Sequence, residues 1–183
     1  GISVDQIDFD RILEMKGVHL SPLSVHIGSQ IVDHQKLIQS YKQLILLADK
    51  LNKKNHTITN LDFGGGFGVM DHSDDTLNFL EWQKDLENIL KDKNYHIIFE
   101  PGRFIVADSG ELITKILYIK NSGDRTIIIT DASFSEYLRP ALYEIDPPIQ
   151  TIGSSKELKN YDIAGGICES TDFLAKNVNL PEV

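Results

Sequence analysis

The sequence has little that could cross-link the chain or hold it in a membrane. Its 183 residues include one cysteine, Cys168, so a disulfide within the chain is impossible. The longest apolar runs, such as residues 127–129, are far shorter than the roughly 20 residues that cross a bilayer. No basic and apolar signal-peptide pattern opens the sequence. These absences favour a cytoplasmic protein.

Basic residues are also scarce. The chain has 18 Lys and Arg against 27 Asp and Glu, which gives a formal net charge of −9 and a pI near 5.0. Repulsion from phosphate backbones and anionic lipids therefore argues against nucleic acid and membranes as partners. The chain starts without Met, and no closing helix or strand is predicted before its last residue, Val183. We expect both ends to be cuts in a longer protein.

Helical and strand-like apolar patterns alternate over the first hundred residues. A helix of this kind is predicted to bury Leu80. Such alternation is typical of βα units around a parallel sheet or barrel. The helices are predicted to begin at Ser3, Asp33 and Asp74 or Asp75, and the strands to cover residues 18–27, 57–63 and 96–100.

The pattern changes after Arg103. Strands are predicted over residues 104–107, 112–120, 126–130 and 161–167, without a long helix between them. Such a run belongs to a mainly antiparallel β-domain. We therefore predict an α/β domain over residues 1–105 and a β-domain over residues 106–183.

Three consecutive glycines, Gly64, Gly65 and Gly66, follow a predicted strand and precede a predicted helix. Without side chains in the way, their backbone N–H groups can converge on an anion. Phosphate is the natural ligand at the carboxyl end of a barrel strand. The alternative is a flexible turn, and the run has neither the Walker pattern nor GxGxxG spacing. We favour the phosphate interpretation.

Polar residues stand at two other predicted strand ends. Glu100 could pair with a protonated ring nitrogen of a cofactor, and Arg103 could bind a carboxylate or phosphate through two hydrogen bonds. A Pro-Gly turn flanked by a surface ion pair explains these residues equally well.

His26 opens the run 26–30. A lone histidine there is more often structural, but its position at the same end of the predicted barrel as the glycines favours a functional role.

Two further signals lie in the predicted β-domain. Arg139 and Tyr143 bring together a cation and a phenol, in a segment that packing alone could explain. Cys168 and Glu169 follow a pair of glycines, and a lone cysteine in a strand is usually a buried apolar group. We find no Ser-His-Asp or Cys-His arrangement for acyl transfer, and the other histidines lack metal-ligand spacing.

Taken together and in order, five runs resemble the fold-type III decarboxylases that depend on pyridoxal 5′-phosphate (PLP). The resemblance implies the C-terminal half of an alanine-racemase-like TIM (β/α)8 barrel followed by part of a β-sandwich or β-barrel domain. It also implies a homodimer whose active sites are shared across the interface. The runs are residues 26–30, 62–68, 100–103, 139–143 and 168–172.

The resemblance implies a role for each residue in binding the cofactor. His26 would stack on the PLP ring and take part in catalysis, and Ser29 would bind the phosphate. Glycines 64–66 and Gly102 would hold the phosphate through their backbone amides. Glu100 would keep the ring nitrogen protonated, which makes the ring a strong electron sink.

The resemblance also indicates an amino acid as the small-molecule substrate. Cys168 and Glu169 would be catalytic groups that reach into the partner's active site. Runs 26–30 and 168–172 are most similar to those of family members that decarboxylate meso-2,6-diaminopimelate to L-lysine and CO2, the last step of lysine biosynthesis. The implied substrate-binding residues are Arg103, Arg139, Tyr143 and Glu169.

The lysine that forms the Schiff base with PLP in this family would lie upstream of Gly1. We therefore expect residues 1–183 alone to be inactive and the activity to belong to a longer chain. Two alternatives stay open. One is a related decarboxylase for arginine, ornithine or a siderophore precursor, and the other is a non-catalytic relative that binds PLP.

Overall fold

The computed structural model describes residues 2–69, 76–153 and 155–183. The chain divides into two units, Gly1–Gly110 (unit 1) and Glu111–Val183 (unit 2). The sequence pattern places the domain boundary after residue 105, and the two units of the structure divide five residues later, after Gly110. Among the described residues, no helix has the length and the apolar character needed to cross a bilayer.

Unit 1 alternates helices and strands. Its three strands form one parallel sheet in the order β1-β2-β3, and the helices supply the crossovers that parallel strands require. In chain order the elements are a 3₁₀ turn (Val4–Gln6), α1 (Phe9–Glu14), β1 (Leu23–Ser24), α2 (His34–Asn52), β2 (Asn60–Asp62), α3 (Phe79–Leu90), β3 (His96–Ile98), α4 (Arg103–Val106) and a second 3₁₀ turn (Ala107–Ser109).

Helix α2 supplies much of the core of unit 1. The side chain of Asp33 accepts a hydrogen bond from the Gln35 amide at 3.0 Å, so the predicted cap of this helix is confirmed. Tyr41 is fully buried, and its ring stacks on Phe63 with a centroid distance of 4.1 Å. This contact fastens α2 to the segment that leads into the glycine run. The buried residues of the helix are Leu37, Ile38, Ser40, Tyr41, Leu44, Ile45, Ala48 and Leu51.

A polar cluster joins the carboxyl end of α2 to the loop before β3. Asp49 accepts hydrogen bonds from Lys93 Nζ at 2.5 Å and from the Tyr95 hydroxyl at 2.6 Å. Burial opposes ionisation of Asp49, but these bonds and the nearby lysine charges outweigh it, so the pKa of Asp49 lies below its ordinary value. Because the folded pKa is the lower one, the carboxylate stabilises the fold above its unfolded pKa of 3.8, and this contribution is lost as the pH falls through the folded value.

We expect Asp49→Asn to lower the free energy of unfolding of the complete protein by about 0.5–1 kcal/mol at neutral pH, since the cluster is partly exposed to solvent. Urea unfolding at about pH 7 and at about pH 2.5 measures the effect, and the difference from the wild type should shrink at the acidic pH. Asp108→Asn, at an exposed carboxylate of the same unit, serves as the control. A difference of the same size at both pH values would contradict this account.

Unit 2 is built on one four-stranded sheet. The strands are β4 (Ile116–Ser122), β5 (Arg125–Thr130), β6 (Leu158–Ala164) and β7 (Phe173–Pro181), and they lie in chain order. The outer pairs, β4–β5 and β6–β7, are antiparallel, and β5–β6 is parallel. A short helix, α5 (Arg139–Tyr143), lies in the connection between β5 and β6. The sheet is therefore mixed, with antiparallel pairs in the majority.

Several local predictions were wrong in unit 1. Residues 104–107 do not form a strand, because α4 covers most of them and the Ile105 amide donates to the Gly102 carbonyl at 3.0 Å. The β-branched residues there favour a strand only where a neighbouring strand offers a partner. Ser3 does not cap α1, whose cap is Asp8, which accepts from the Arg11 amide at 3.0 Å.

The predicted start of α3 was also wrong. Asn78 caps this helix, and its side chain accepts a hydrogen bond from the Glu81 amide at 3.3 Å. Asp74 and Asp75, the predicted caps, lie outside the described residues. Leu80 is 81% exposed and not buried. Leu77, by contrast, packs in the core just before the helix begins.

Two predicted strands of unit 2 have other bounds, and one strand was not predicted. The strand expected over residues 112–120 is β4, which begins at Ile116 and ends at Ser122. The strand expected over residues 161–167 is β6, which begins earlier and ends at Ala164. Strand β7 was missed, because Lys176, Asn177 and Asn179 interrupt its apolar pattern. Asn177 has a positive φ of 57°, and residues of its type tolerate this backbone region better than most.

Candidate active site

The carboxyl ends of the three parallel strands meet at one edge of the unit 1 sheet. Pairing continues past the strands, since the Val25 amide donates to the Asp62 carbonyl at 2.9 Å and the Glu100 amide donates to the Gly64 carbonyl at 2.8 Å. His26, the glycine run and Glu100 are therefore brought together. These three groups come from three different strand ends, as a site at this edge of a parallel sheet requires.

The glycines let these strand ends approach closely. A Cβ on Gly64 would lie 2.5 Å from the Val25 carbonyl oxygen, and a Cβ on Gly65 would overlap the Glu100 carbonyl. Gly66 has a φ of +86°, in the region that residues with side chains rarely adopt. Backbone packing therefore demands glycine at these positions, whatever ligand the loop binds.

His26 lies directly against the glycine run. Its Nδ1 accepts a hydrogen bond from the Gly65 amide at 3.4 Å. A ring that accepts at Nδ1 carries its hydrogen on Nε2. The His26 side chain is exposed, so the ring is accessible to a flat ligand beside the loop.

Two polar side chains to which the sequence assigned no site role, Asp62 and Gln30, hold the backbone of the glycine run and of the residues after it. Asp62 Oδ1 accepts a hydrogen bond from the Gly64 amide at 2.8 Å. The Gln30 side chain makes two hydrogen bonds to the backbone of Val69. Its Nε2 donates to the Val69 carbonyl at 3.1 Å, and its Oε1 accepts from the Val69 N–H at 3.3 Å. The Asp-x-Gly spacing is a recognisable signal for the first contact, because aspartates bond to the backbone two residues on. The second contact spans 39 positions and has no local signal.

The other predicted residues of unit 1 lie in the loops that follow these strands. Ser29 and Glu100 are exposed, and Arg103 is half-buried at the start of α4. None of these three side chains makes a hydrogen bond or ion pair with another described residue, so their polar groups are available to a ligand. A Cβ on Gly102 would meet no atom within 4 Å. Packing therefore does not demand glycine there.

Helix α5 of unit 2 brings Arg139 and Tyr143 together. The Arg139 guanidinium carbon lies 5.3 Å from the centre of the Tyr143 ring, which is a cation–π distance. Pro140 lies in the first turn, where its missing N–H costs no helical hydrogen bond. The helix thus presents a cation and an exposed phenol side by side.

Cys168 and Glu169 lie in an exposed turn between β6 and β7. The alternative of a buried cysteine in a strand was wrong, because β6 ends before Cys168. Glu169 accepts hydrogen bonds from the Ser170 hydroxyl at 3.0 Å and the Ser170 amide at 2.8 Å. These bonds hold the pKa of Glu169 below its ordinary value. The turn therefore presents a carboxylate beside a thiol.

Known proteins share this combination of a βα unit and a β-unit. The sequence profile described as "Pyridoxal-dependent decarboxylase, pyridoxal binding domain" matches residues 1–107. The chain belongs to the family of pyridoxal-dependent decarboxylases, which confirms the resemblance found in the five sequence runs.

Within that family, the chain is similar to diaminopimelate decarboxylases. It is 37% identical to the enzyme of Helicobacter pylori over 172 residues, which are 92% of this chain and 42% of that protein. It is 34% identical to the enzyme of Bacteroides thetaiotaomicron, over 100% of this chain and 49% of that protein. The chain thus spans somewhat less than half the length of these relatives.

Solved structures give the same result. The structure of H. pylori diaminopimelate decarboxylase complexed with L-lysine is similar with a TM-score of 0.84 at 35% identity, over 96% of this chain and 44% of that one. The diaminopimelate decarboxylase of M. jannaschii in co-complex with L-lysine has a TM-score of 0.84 at 29% identity, over 95% and 42%. A lysine/ornithine decarboxylase from Vibrio vulnificus, at 22% identity and a TM-score of 0.78, shares the fold.

Proposed function

We propose that the complete protein to which this chain belongs is a PLP-dependent carboxy-lyase that converts meso-2,6-diaminopimelate to L-lysine and CO2. The observation that carries this proposal is the meeting of His26, the glycine run and Glu100 at one sheet edge. The chain that contains them is 37% identical to a diaminopimelate decarboxylase. Two structurally similar relatives were solved with L-lysine, the product of the proposed reaction.

The residues of unit 1 fit PLP. A loop without side chains, at the carboxyl end of a parallel strand, lets a phosphate approach its backbone amides. The Gly64 and Gly65 amides donate to Asp62 and His26, and in this proposal they would exchange these acceptors for the phosphate when PLP binds. In this proposal glycines 64–66, Gly102 and Ser29 bind the phosphate, and His26 covers one face of the ring. Glu100 holds a proton on the ring nitrogen. When bound, PLP supplies the electron sink that takes up the electrons left behind by CO2.

The remaining site residues match the charges of the substrate. Diaminopimelate carries an ammonium and a carboxylate at each end, so it needs cations and anions around it. Arg103 binds a carboxylate with its planar guanidinium, and Arg139 and Tyr143 add a second cation and a hydroxyl. Glu169, whose pKa is lowered by its hydrogen bonds from Ser170 and the next amide, attracts the distal ammonium. Cys168, beside it, donates or positions a proton.

The proposal extends to the architecture of the complete protein. Residues 1–105 would be part of a PLP-binding TIM barrel, which the parallel β1-β2-β3 sheet with its helical crossovers supports. Residues 106–183 would be part of a C-terminal β-domain. In a homodimer, Cys168 and Glu169 would serve the partner's active site. The lysine that binds PLP would lie outside residues 1–183, and the cytoplasmic location stays a prediction.

A comparison of substrates tests the proposed function. The complete protein, reconstituted with PLP, is assayed for CO2 release from meso-diaminopimelate, L-arginine and L-ornithine, with PLP-free protein as the control. We expect meso-diaminopimelate to be preferred by at least about 100-fold in kcat/KM. Preference for arginine or ornithine would overturn the substrate while keeping the class. PLP binding without CO2 release from any of the three would indicate a non-catalytic relative.

A further inference from the structure

Asp172 is a buried carboxylate to which the proposed reaction gives no role. It is 2% exposed and lies just before β7. Its Oδ1 accepts a hydrogen bond from the Phe134 amide at 2.7 Å, and its Oδ2 accepts one from the Ile167 amide at 2.8 Å. A single side chain therefore joins the loop after β5 to the turn after β6.

The backbone reinforces this joint. The Gly165 amide donates to the Asp172 carbonyl, and the Asp172 amide donates to the Glu169 carbonyl, both at 3.1 Å. A Cβ on Gly165 would overlap the Asp172 carboxylate and lie 2.6 Å from Ser133 Cα. The two segments and Asp172 are thus packed so closely that only glycine fits between them.

Both segments lead to residues of the candidate site. The loop after β5 (residues 132–136) runs into α5, which carries Arg139 and Tyr143. The turn after β6 (residues 165–171) carries Cys168 and Glu169. In the proposed homodimer, a shift of the turn would displace Cys168 and Glu169 in the partner's active site, and a shift of the loop would displace Arg139 and Tyr143, which hold the substrate.

We propose that Asp172 is a positioning residue that fixes the turn of Cys168 and Glu169 relative to the loop that leads to α5. This inference rests on the proposed function, from which these residues take their roles in substrate binding. Both carboxylate oxygens of Asp172 accept backbone N–H groups. An asparagine offers one oxygen and turns its NH₂ group toward the other donor, so one segment would be released. Misplacement of binding groups by about 1 Å can cost about 100-fold in rate.

Asp162 provides a matched control. It is also a buried carboxylate of unit 2, at 6% exposure, and it lies on β6 of the same sheet. It accepts hydrogen bonds from Arg125 Nε at 2.5 Å and from the Asn177 amide at 2.8 Å. These partners belong to neither of the two segments that Asp172 joins. Asp162→Asn therefore removes a buried charge of the same sheet without releasing either segment.

The test compares Asp172→Asn and Asp162→Asn in the complete, PLP-loaded protein. In D172N we expect amide hydrogen exchange to speed up at least about tenfold in one of the two peptides covering residues 132–137 and 165–170, because one buried N–H loses its acceptor. We expect kcat/KM for meso-diaminopimelate to fall about 10- to 100-fold. In D162N, exchange in these peptides and kcat/KM should stay within about threefold of the wild type. PLP affinity should be unchanged in both variants, since the glycine run that is proposed to bind the phosphate lies in unit 1.

Unchanged exchange in both peptides of D172N would overturn the inference, as would equal losses of kcat/KM in the two variants. If D172N does not fold, Asp172→Ser takes its place, since its hydroxyl can accept one bond and its smaller size admits water. A wild type that releases no CO2 would defeat the proposed function. Exchange in the two peptides would still decide whether Asp172 holds the segments together.

Discussion

Replacing Gly65 with alanine should weaken PLP binding to the complete protein by about 100-fold. The new Cβ would overlap the carbonyl of Glu100, which belongs to the backbone and cannot rotate away as a side chain can. Relief requires the ends of β2 and β3 to separate, although the Glu100 amide is bonded to the Gly64 carbonyl at 2.8 Å. The substitution would thus pull apart the glycine run and Glu100.

A fluorescence titration of the PLP-free protein with PLP measures this effect. Gly110→Ala is the matched control, because a Cβ at Gly110 would meet no atom within 4 Å, and we expect its PLP affinity to equal that of the wild type. Circular dichroism establishes that both variants are folded. A folded Gly65→Ala variant with wild-type affinity for PLP would show that the cofactor does not bind at this loop.

Replacing Glu100 with glutamine should lower kcat by about 100-fold or more while PLP stays bound. In the proposed site the Glu100 carboxylate holds a proton on the ring nitrogen, and glutamine cannot supply the negative charge that this requires. The ring would then be a poorer electron sink. The Glu100 side chain is exposed and makes no hydrogen bond or ion pair with another described residue, so stability should change little.

Steady-state CO2 release together with a PLP titration separates the two effects. Glu14→Gln, at an exposed carboxylate at the end of α1, should leave both kcat and PLP affinity unchanged. A Glu100→Gln variant with wild-type kcat would show that the Glu100 carboxylate has no role in the reaction. A large loss of PLP affinity at unchanged kcat would assign it to binding alone.

Local patterns predicted the parts of the fold that local forces build. The apolar spacing of α2 and its Asp33 cap could be predicted from the sequence, and both are present in the structure. Glycines 64–66 lie where a strand ends and a loop begins, and the structure explains them through the close approach of the Val25, Glu100 and Gly28 carbonyls. Their position could be predicted from the sequence, but the reason for their packing could not.

Contacts between distant segments could not be predicted. Asp172 holds the amide of Phe134, 38 positions away, and Gln30 holds the backbone of Val69. No periodicity or spacing indicates such pairs, because they depend on which loops the sheet brings together. At residues 104–107 a local signal was misleading. The side chains there favour a strand, but most of them lie in α4, because strand propensity is weak compared with the tertiary context.

In the proposed function, PLP binds where the carboxyl ends of β1, β2 and β3 meet. A crystal structure of the complete protein with PLP tests it most directly. We expect the phosphate to lie against the backbone amides of residues 64–66, the ring beside His26, and the ring nitrogen toward the Glu100 carboxylate. Cofactor density away from this sheet edge, or a ring nitrogen that faces a group other than Glu100, would contradict the account.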